Sequence, residues 1–414
     1  MQFGDLRGIL HYVPQFRGRL FVVAIDGAVA SSENFANVLL DLAVLHSLNV
    51  KLAIVHGGGA QIRALAADRG VEISNSDGTG PTDPQTLELS IDAISRLTNK
   101  LMQDLTAIGL RAATANAVIA NPAGVVRGVD QGQTGKIDRV DAGGLQSFLD
   151  EGMVPVVPPL GFDGKGGTLR INSDAIAVSI AEALGAHKIL FLTYGEYDSD
   201  VAQESGRQLS VAQARALSAG LEANSPRLGS IYGYAAQACE RGVDRVHLLD
   251  GGRNDALLAE LFSNEGVGTM VYRDDYRQIR KAVPADVPEI VSMIRDAVRE
   301  DELLPRSRAD VLRLIDDYFV LELDGNVVGS AALHDLGEDA EIACLFIKRN
   351  HENSGHGRQL VSYAEKVARE TGAGRVFALS TQASGFFSRL GYQEVEEGML
   401  PADRAEKLAE SGRS

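Results

Sequence analysis

The chain has 414 residues, 45% hydrophobic and 23% charged, an ordinary globular composition with length enough for two or three domains. Its 40 basic residues stand against 56 acidic ones, and the formal net charge of -16 argues against a general binder of nucleic acid or of an anionic membrane. Any anionic ligand then needs a local basic cluster. Two cysteines, Cys239 and Cys344, fit neither a metal-ligand spacing nor a disulfide framework, so no metal is expected and a reducing cytoplasm is the expected location. The opening MQFGDLRGIL lacks a basic stretch followed by an apolar core, and no apolar run approaches the ~20 residues of a membrane span. No membrane partner is expected.

In chain order, Leu6, Ile9, Leu10, Val13 and Phe16 recur at helical spacing, which predicts a helix within residues 1–19 that packs on its own domain or on a neighbouring subunit. From 20 to 274, apolar runs alternate with helical stretches. FVVAI (21–25), KLAIV (51–55), VPVVP (154–158), KILFLT (188–193) and RVHLL (245–249) read as strands, with ENFANVLLDLAVLHSL and DAIAVSIAEALGA as helices between them. Near-continuous apolar strands separated by helices indicate an α/β fold, an open parallel-sheet αβα sandwich. Within it, His56 and three glycines join a strand to a helix, an arrangement that brings backbone N–H groups to a phosphate and equally serves as a tight packing turn.

The pattern changes after the charged VYRDDYRQIR, placing a boundary near 275. KAVPADVPEIVSMIRDAVRED reads as a strand end and a helix, FVLELDGNVVGSAAL as a hairpin turning at Asp324-Gly325, and EIACLFI as a buried strand. A polar glycine loop and the helix GRQLVSYAEKVARE complete a mixed α/β domain over 275–414. Lys348, Arg349, His351, His356 and Arg358 crowd that loop, so its N–H groups and charge suit a polyanionic cofactor.

HGGGAQI at 56, GQTGKIDRVD at 131, VPVVPPLGF at 154, INSDAIAVSIAEAL at 171, FLTYG at 191 and RGVDRVHLLDG at 241 together resemble the amino-acid kinase fold. That chemistry needs positioned cations around the transferred phosphoryl group. Here Ala24 stands at the family's first-strand lysine and Asp26 at the following glycine. No lysine precedes Lys51, none lies between Lys188 and Lys281, and GTGPTD lacks the expected arginine. The resemblance thus implies a kinase fold without kinase activity, with Asp26 repelling phosphate and Asp174 reduced to a helix-start residue.

Residues 275–414 resemble the GCN5-related N-acetyltransferase fold through CLFIKRNHENSGHGRQL (344–360) and ALSTQASGFFSRLGYQEV downstream. Gly355 and Gly357 fit the family's coenzyme A loop, while Glu352 stands where it has Arg or Gln. An acetyltransferase behind a kinase fold is similar to the N-acetylglutamate synthase family. NDALLAELFSNEGVGTMV, EIACLFI, LSTQASGFFSRLGY and LPADRAEKLAESGRS each match it.

That resemblance implies acetyl transfer from acetyl-CoA to L-glutamate, the first step of arginine biosynthesis. Glu341 is then the general base and Ser380 the general acid. Arg306, Cys344 and Arg413 line the acceptor site, since guanidinium groups grip carboxylates in pairs of bonds. Leu345, Phe346, Ile347, Asn353, Ser354, Gly355, His356, Gly357 and Arg358 hold acetyl-CoA. The kinase-like domain becomes regulatory, with L-arginine near Asp255, Glu260, Gly266 and Gly268, in a homo-oligomer that family precedent makes a hexamer. Plainer readings stand beside these: Glu341 as a strand-edge charge, Ser380 as a turn former, Cys344 as a small buried apolar residue, Arg306 and Glu260 as solvated helix residues. Another amino acid or amine as acceptor, and a non-catalytic arginine-sensing regulator, are the alternative functions.

Overall fold

The computed structural model describes residues 13–401 and 404, apart from 77, 196–207, 222–224, 263–265, 274–276, 300–305, 324–325, 349–354, 381–382 and 396–398. The chain divides into two compact units, Met1–Asp274 and Asp275–Ser414.

The first unit is built on strands β1 (Leu20–Ile25), β2 (Lys51–His56), β3 (Ala112–Thr114), β4 (Val154–Val157), β5 (Lys188–Thr193), β6 (Gln208–Ser210), β7 (Arg245–Asp250) and β8 (Thr269–Tyr272). Among the described residues they form one sheet, ordered β6-β8-β7-β5-β1-β2-β4-β3. All six residues of β1 and all six of β5 are buried, as strands covered on both faces must be. One face packs Val22, Ala24, Val55, Phe191 and Leu248 against helices α3 (Ser173–Leu184) and α4 (Pro226–Glu240). The other packs Phe21, Val23, Ile54 and Leu192 against α2 (Pro84–Ala107) and α5 (Ala256–Phe262). Each such side chain contributes about 1.5–3 kcal/mol by leaving water. The sheet is parallel as expected, except that among the described residues β7 and β8 pair antiparallel. Of the N-terminal helix, only Val13 to Phe16 lies among the described residues, with Phe16 buried against Phe21 and Phe262.

The second unit is a five-stranded sheet, ordered β9 (Arg277–Lys281), β10 (Tyr318–Leu323), β11 (Asn326–Asp335), β12 (Asp339–Ile347), β13 (Arg375–Ala378). The hairpin of β10 and β11 forms, its Asp324-Gly325 turn lying outside the described residues. Helix α6 (Val287–Arg299) covers one face through Ile290, Met293 and Ile294. Helix α7 (His356–Thr371) covers the other through Leu360, Val361 and Ala364, the one-turn spacing of an amphipathic helix.

Candidate active site

Two features of β12 open a cleft in the second unit. Its pairing with β13 is parallel and ends at Ile342↔Ala378, although β12 runs on to Ile347. Beyond Ile342 it therefore has an edge that β13 does not cover, which an extended ligand can occupy. Its pairing with β11 also slips between Ser330 and Ala332, so Ala331 alone stands against Cys344 and Leu345. Cys344 takes φ +51 at this bulge, a conformation that bulky L-residues rarely adopt.

Glu341 lies at the root of the cleft, buried to 4% exposure, so its reading as a strand-edge charge gives way. Both its oxygens are taken by Arg404, with Nε donating to Oε2 at 2.7 Å and Nη2 to Oε1 at 2.8 Å. Two residues before it, Asp339 is gripped in the same two-bonded way by Arg375 from β13. Cys344 is buried and accepts a hydrogen bond from the Tyr318 hydroxyl at 3.5 Å. Burial first, and Cys344 second, push the Tyr318 phenol up, whereas the charge of Arg306 pulls it down. His334, in register opposite Glu341, pairs with Asp317 at 2.8 Å.

Ser380, past the end of β13, is exposed and accepts from the Ala383 N–H at 2.8 Å, which is the bond of a turn former. A hydroxyl that accepts this bond still has its own proton to give. Leu345, Phe346 and Ile347 are half-buried along the open part of β12. Gly355 caps α7 in the left-handed region, His356 is buried and Arg358 is exposed on the first turn. Lys348 is paired with Glu289 of α6. Asn353, Ser354 and Arg413 lie outside the described residues.

In the first unit the HGGG turn leads into α1 (Gly59–Arg69), and its glycines are closely packed. A Cβ on Gly58 would sit 2.8 Å from Ile94 Cγ1, and one on Gly57 would sit 3.3 Å from the Gly27 backbone nitrogen. Gln61 fills the remaining gap, donating to the Gly27 carbonyl and to Ser31 Oγ. The glycines serve close packing. Counting lysines also missed a cation: Arg227, at the start of α4, bonds Asp174 and reaches Asp26 Oδ2 at 3.0 Å. Burial works against this guanidinium, and the two carboxylates outweigh it and raise it above its ordinary range. Asp26 is consequently a paired charge, and it also caps a short helix by accepting from the Ala28 N–H. Asp174 is a helix-start residue as expected, in the first turn of α3, behind the cap residue Asn172, whose side chain accepts from the Asp174 and Ala175 N–H groups.

A second buried cluster gathers on β5, β7 and α5. Glu260 Oε1 meets His247 Nδ1 at 2.6 Å, and its Oε2 accepts from the N–H groups of Val267 and Gly268. Burial favours the protonated acid, but the bonds from His247, Gly268 and Val267 hold its pKa down at about 2. An ionised Glu260 can only accept, so Nδ1 donates and Nε2 accepts from Lys188 Nζ at 3.1 Å. Burial, with Lys188 second, lowers His247 to about 4 and keeps it neutral. Lys188 is pushed well down by burial and then by Arg245, with its Nζ 5.3 Å from the centre of the Phe16 ring. Glu260 is therefore no solvated helix residue. Gly266 belongs to the same cluster, since a Cβ there would lie 2.7 Å from Glu260 Oε2. Asp255 does not join it: exposed at φ +58 before α5, it raises the pKa of Asp41. Lys188 and His247 were legible only as polar residues inside apolar strands.

A strand edge left uncovered and a helix that starts at Gly355, in one chain with a kinase-type sheet, fit an acetyl-CoA-dependent N-acetyltransferase joined to an amino-acid kinase fold. The amino acid kinase family profile matches residues 19–250 and the acetyltransferase (GNAT) family profile residues 286–392. The amino-acid acetyltransferase of Pseudomonas aeruginosa is 34% identical over 416 residues, covering 97% of this chain and 95% of that one. Neisseria gonorrhoeae N-acetylglutamate synthase complexed with coenzyme A and L-arginine is similar at TM-score 0.84 and 29% identity, over 99% of this chain and 97% of that one. The same synthase with coenzyme A and N-acetyl-glutamate gives a TM-score of 0.65 and 30% identity, over 100% and 98%. The chain belongs to the N-acetylglutamate synthase family. Among its described residues, no helix is long and apolar enough to cross a membrane.

Proposed function

We propose that this chain transfers the acetyl group of acetyl-CoA to the α-amine of L-glutamate, as the first step of arginine biosynthesis in the cytoplasm. The observation that carries the reading is Glu341, a buried carboxylate on the strand whose edge β13 leaves open. Glutamate's ammonium group gives a proton to Glu341, directly or through a water, and the freed amine attacks the thioester carbonyl. Backbone N–H groups around the Cys344 bulge polarise that carbonyl as charge develops on its oxygen. The carbon–sulfur bond then breaks, the Ser380 hydroxyl protonates the departing thiolate, and the second proton shed by the acylated nitrogen restores the serine hydroxyl. Arg306 and Arg413 hold the acceptor's carboxylates beside Cys344. Acetyl-CoA lies along Leu345 to Ile347, with its pyrophosphate at the N–H groups of residues 353–358.

The kinase-like unit is regulatory and transfers no phosphate, and the protein works as a homo-oligomer. L-Arginine binds at Glu260, Gly266 and Gly268, where a buried carboxylate already held ionised offers a guanidinium its counter-charge without first losing a proton. The gonococcal synthase crystallised with L-arginine supports this. The test is thiol release from acetyl-CoA with L-glutamate and a panel of other amino acids, with and without L-arginine. Glutamate-dependent release altered by arginine is the expected result. Release with another amine alone would overturn the acceptor, release indifferent to arginine would overturn the regulation, and silence with every amine would leave a non-catalytic sensor.

A further inference from the structure

Glu341 does not face the cleft as a free carboxylate. Its two oxygens carry two charge-assisted bonds from one guanidinium, so neither is free for a second partner along those directions. The neighbouring Asp339–Arg375 pair has the same form but another origin. Arg375 sits in register opposite Asp339 on the paired strand, half exposed, as a cross-strand pair that fixes the sheet. Arg404 comes from outside the sheet, where its N–H donates to the Pro401 carbonyl, and its side chain is largely buried. On the adjacent strand, His334 stands in register with Glu341 and is itself paired with Asp317. Arg404 is thus a cation placed at the base without being needed to build the strand.

We propose that Arg404 is a positioning residue that selects acidic acceptors by carboxylate exchange: on acceptor binding its guanidinium passes from Glu341 to the acceptor's side-chain carboxylate. The exchange leaves Glu341 free to take the ammonium proton only when a dicarboxylate is in place. The guanidinium keeps a carboxylate partner throughout, and the buried Glu341 that it leaves meets the acceptor's ammonium group, whose proton it takes. This rests on Glu341 being the base and on an amino-acid acceptor.

The test compares kcat and KM for L-glutamate and for L-glutamine, which has the same shape without the side-chain charge, in wild type, Arg404→Met, Arg404→Lys and Asp339→Asn. Arg404→Met is expected to lower the glutamate-to-glutamine ratio of kcat/KM at least about 10-fold, chiefly through KM for glutamate, while glutamine turnover is kept or rises. Arg404→Lys should be intermediate and Asp339→Asn unchanged in this ratio. An unchanged ratio in Arg404→Met, or loss of both substrates together in a variant that still binds coenzyme A, would overturn the exchange and leave Arg404 a structural tie. If Arg404→Met no longer binds coenzyme A, Arg404→Lys decides, and a wild-type ratio there overturns the proposal. Wild type active and Glu341→Gln inactive keep the base assignment standing whichever way the ratio falls; wild type silent with glutamate removes both.

Discussion

The two units each place a guanidinium on the carboxylate at a position where chemistry is expected, and the surroundings decide what the pairing means. In the kinase-like unit, Arg227 is shared between Asp26 and Asp174, and the glycine turn beside them has no room for even a methyl group. In the acetyltransferase unit, Arg404 holds Glu341 beside a strand edge that β13 leaves uncovered. The first arrangement uses its charges to hold elements together. The second keeps its charge pair next to the strand edge at which the acceptor is proposed to bind.

Breaking the first pair should give the largest effect. Arg227→Met leaves Asp26 and Asp174 without their shared cation, and removing one partner of a buried pair costs about 3–5 kcal/mol. Chemical denaturation followed on the kinase-like unit measures this. Adding Asp26→Asn and Asp174→Asn should recover much of the loss, and neither variant should phosphorylate N-acetylglutamate with ATP and Mg²⁺. Stability unchanged in Arg227→Met would mean that these elements are not held by charge. In the second unit, Glu341→Gln keeps the shape and removes the base, so kcat should fall by roughly 10²-fold or more with coenzyme A affinity unchanged. A fall confined to KM would reduce Glu341 to a binding residue.

Legibility in the sequence followed the range of the interactions. Strand β5 was readable to the residue, because burial on both faces writes itself into consecutive apolar positions. The direction of β8 was not, since TMVY carries the same signal whichever way it runs. Arg227 stayed hidden because its partner Asp26 is 201 positions away, and a search for lysines passes over arginine. Arg404 was quoted within a tail motif, yet nothing local ties it to Glu341, 63 positions earlier. The helix start at Asp174 was readable, because a cap-forming Asn-Ser-Asp run precedes an apolar stretch.

Acid pH sharpens the contrast next. His56 and His247 are buried and neutral, each lowered from 6.5 to about 4 with burial the first cause, and Glu260 lies at about 2. A depressed folded pKa means that the unfolded chain binds the proton first, so this stability is complete above pH ~6.5 for the histidines and is lost as pH falls towards 4. Asp41 acts oppositely: raised to about 6 by burial and then Asp255, it contributes stability below its unfolded value that is lost as pH rises through 6. The histidines outnumber it, so the kinase-like unit should lose stability from pH 7 to 4.5, on the order of 2 kcal/mol per histidine. His247→Gln should flatten the dependence of Tm on pH; an equally steep curve would place the acid sensitivity elsewhere.

The smallest effect separates the two glycine turns. Gly58 is required by packing, because the Cβ of Gly58→Ala would meet Ile94 Cγ1 and force the helix or the side chain to move, costing about 1–3 kcal/mol. Gly355 is required by conformation: at φ +77 nothing lies within 4 Å of its Cβ position, so Gly355→Ala costs only the backbone strain of about 1–2 kcal/mol. The same substitution should therefore read out differently in the two loops. Gly58→Ala should lower the stability of its unit and leave KM for acetyl-CoA unchanged, whereas Gly355→Ala should raise that KM by re-aiming the N–H groups at the start of α7. If Gly58→Ala changed the KM for acetyl-CoA and Gly355→Ala did not, the roles assigned to the two turns would be reversed.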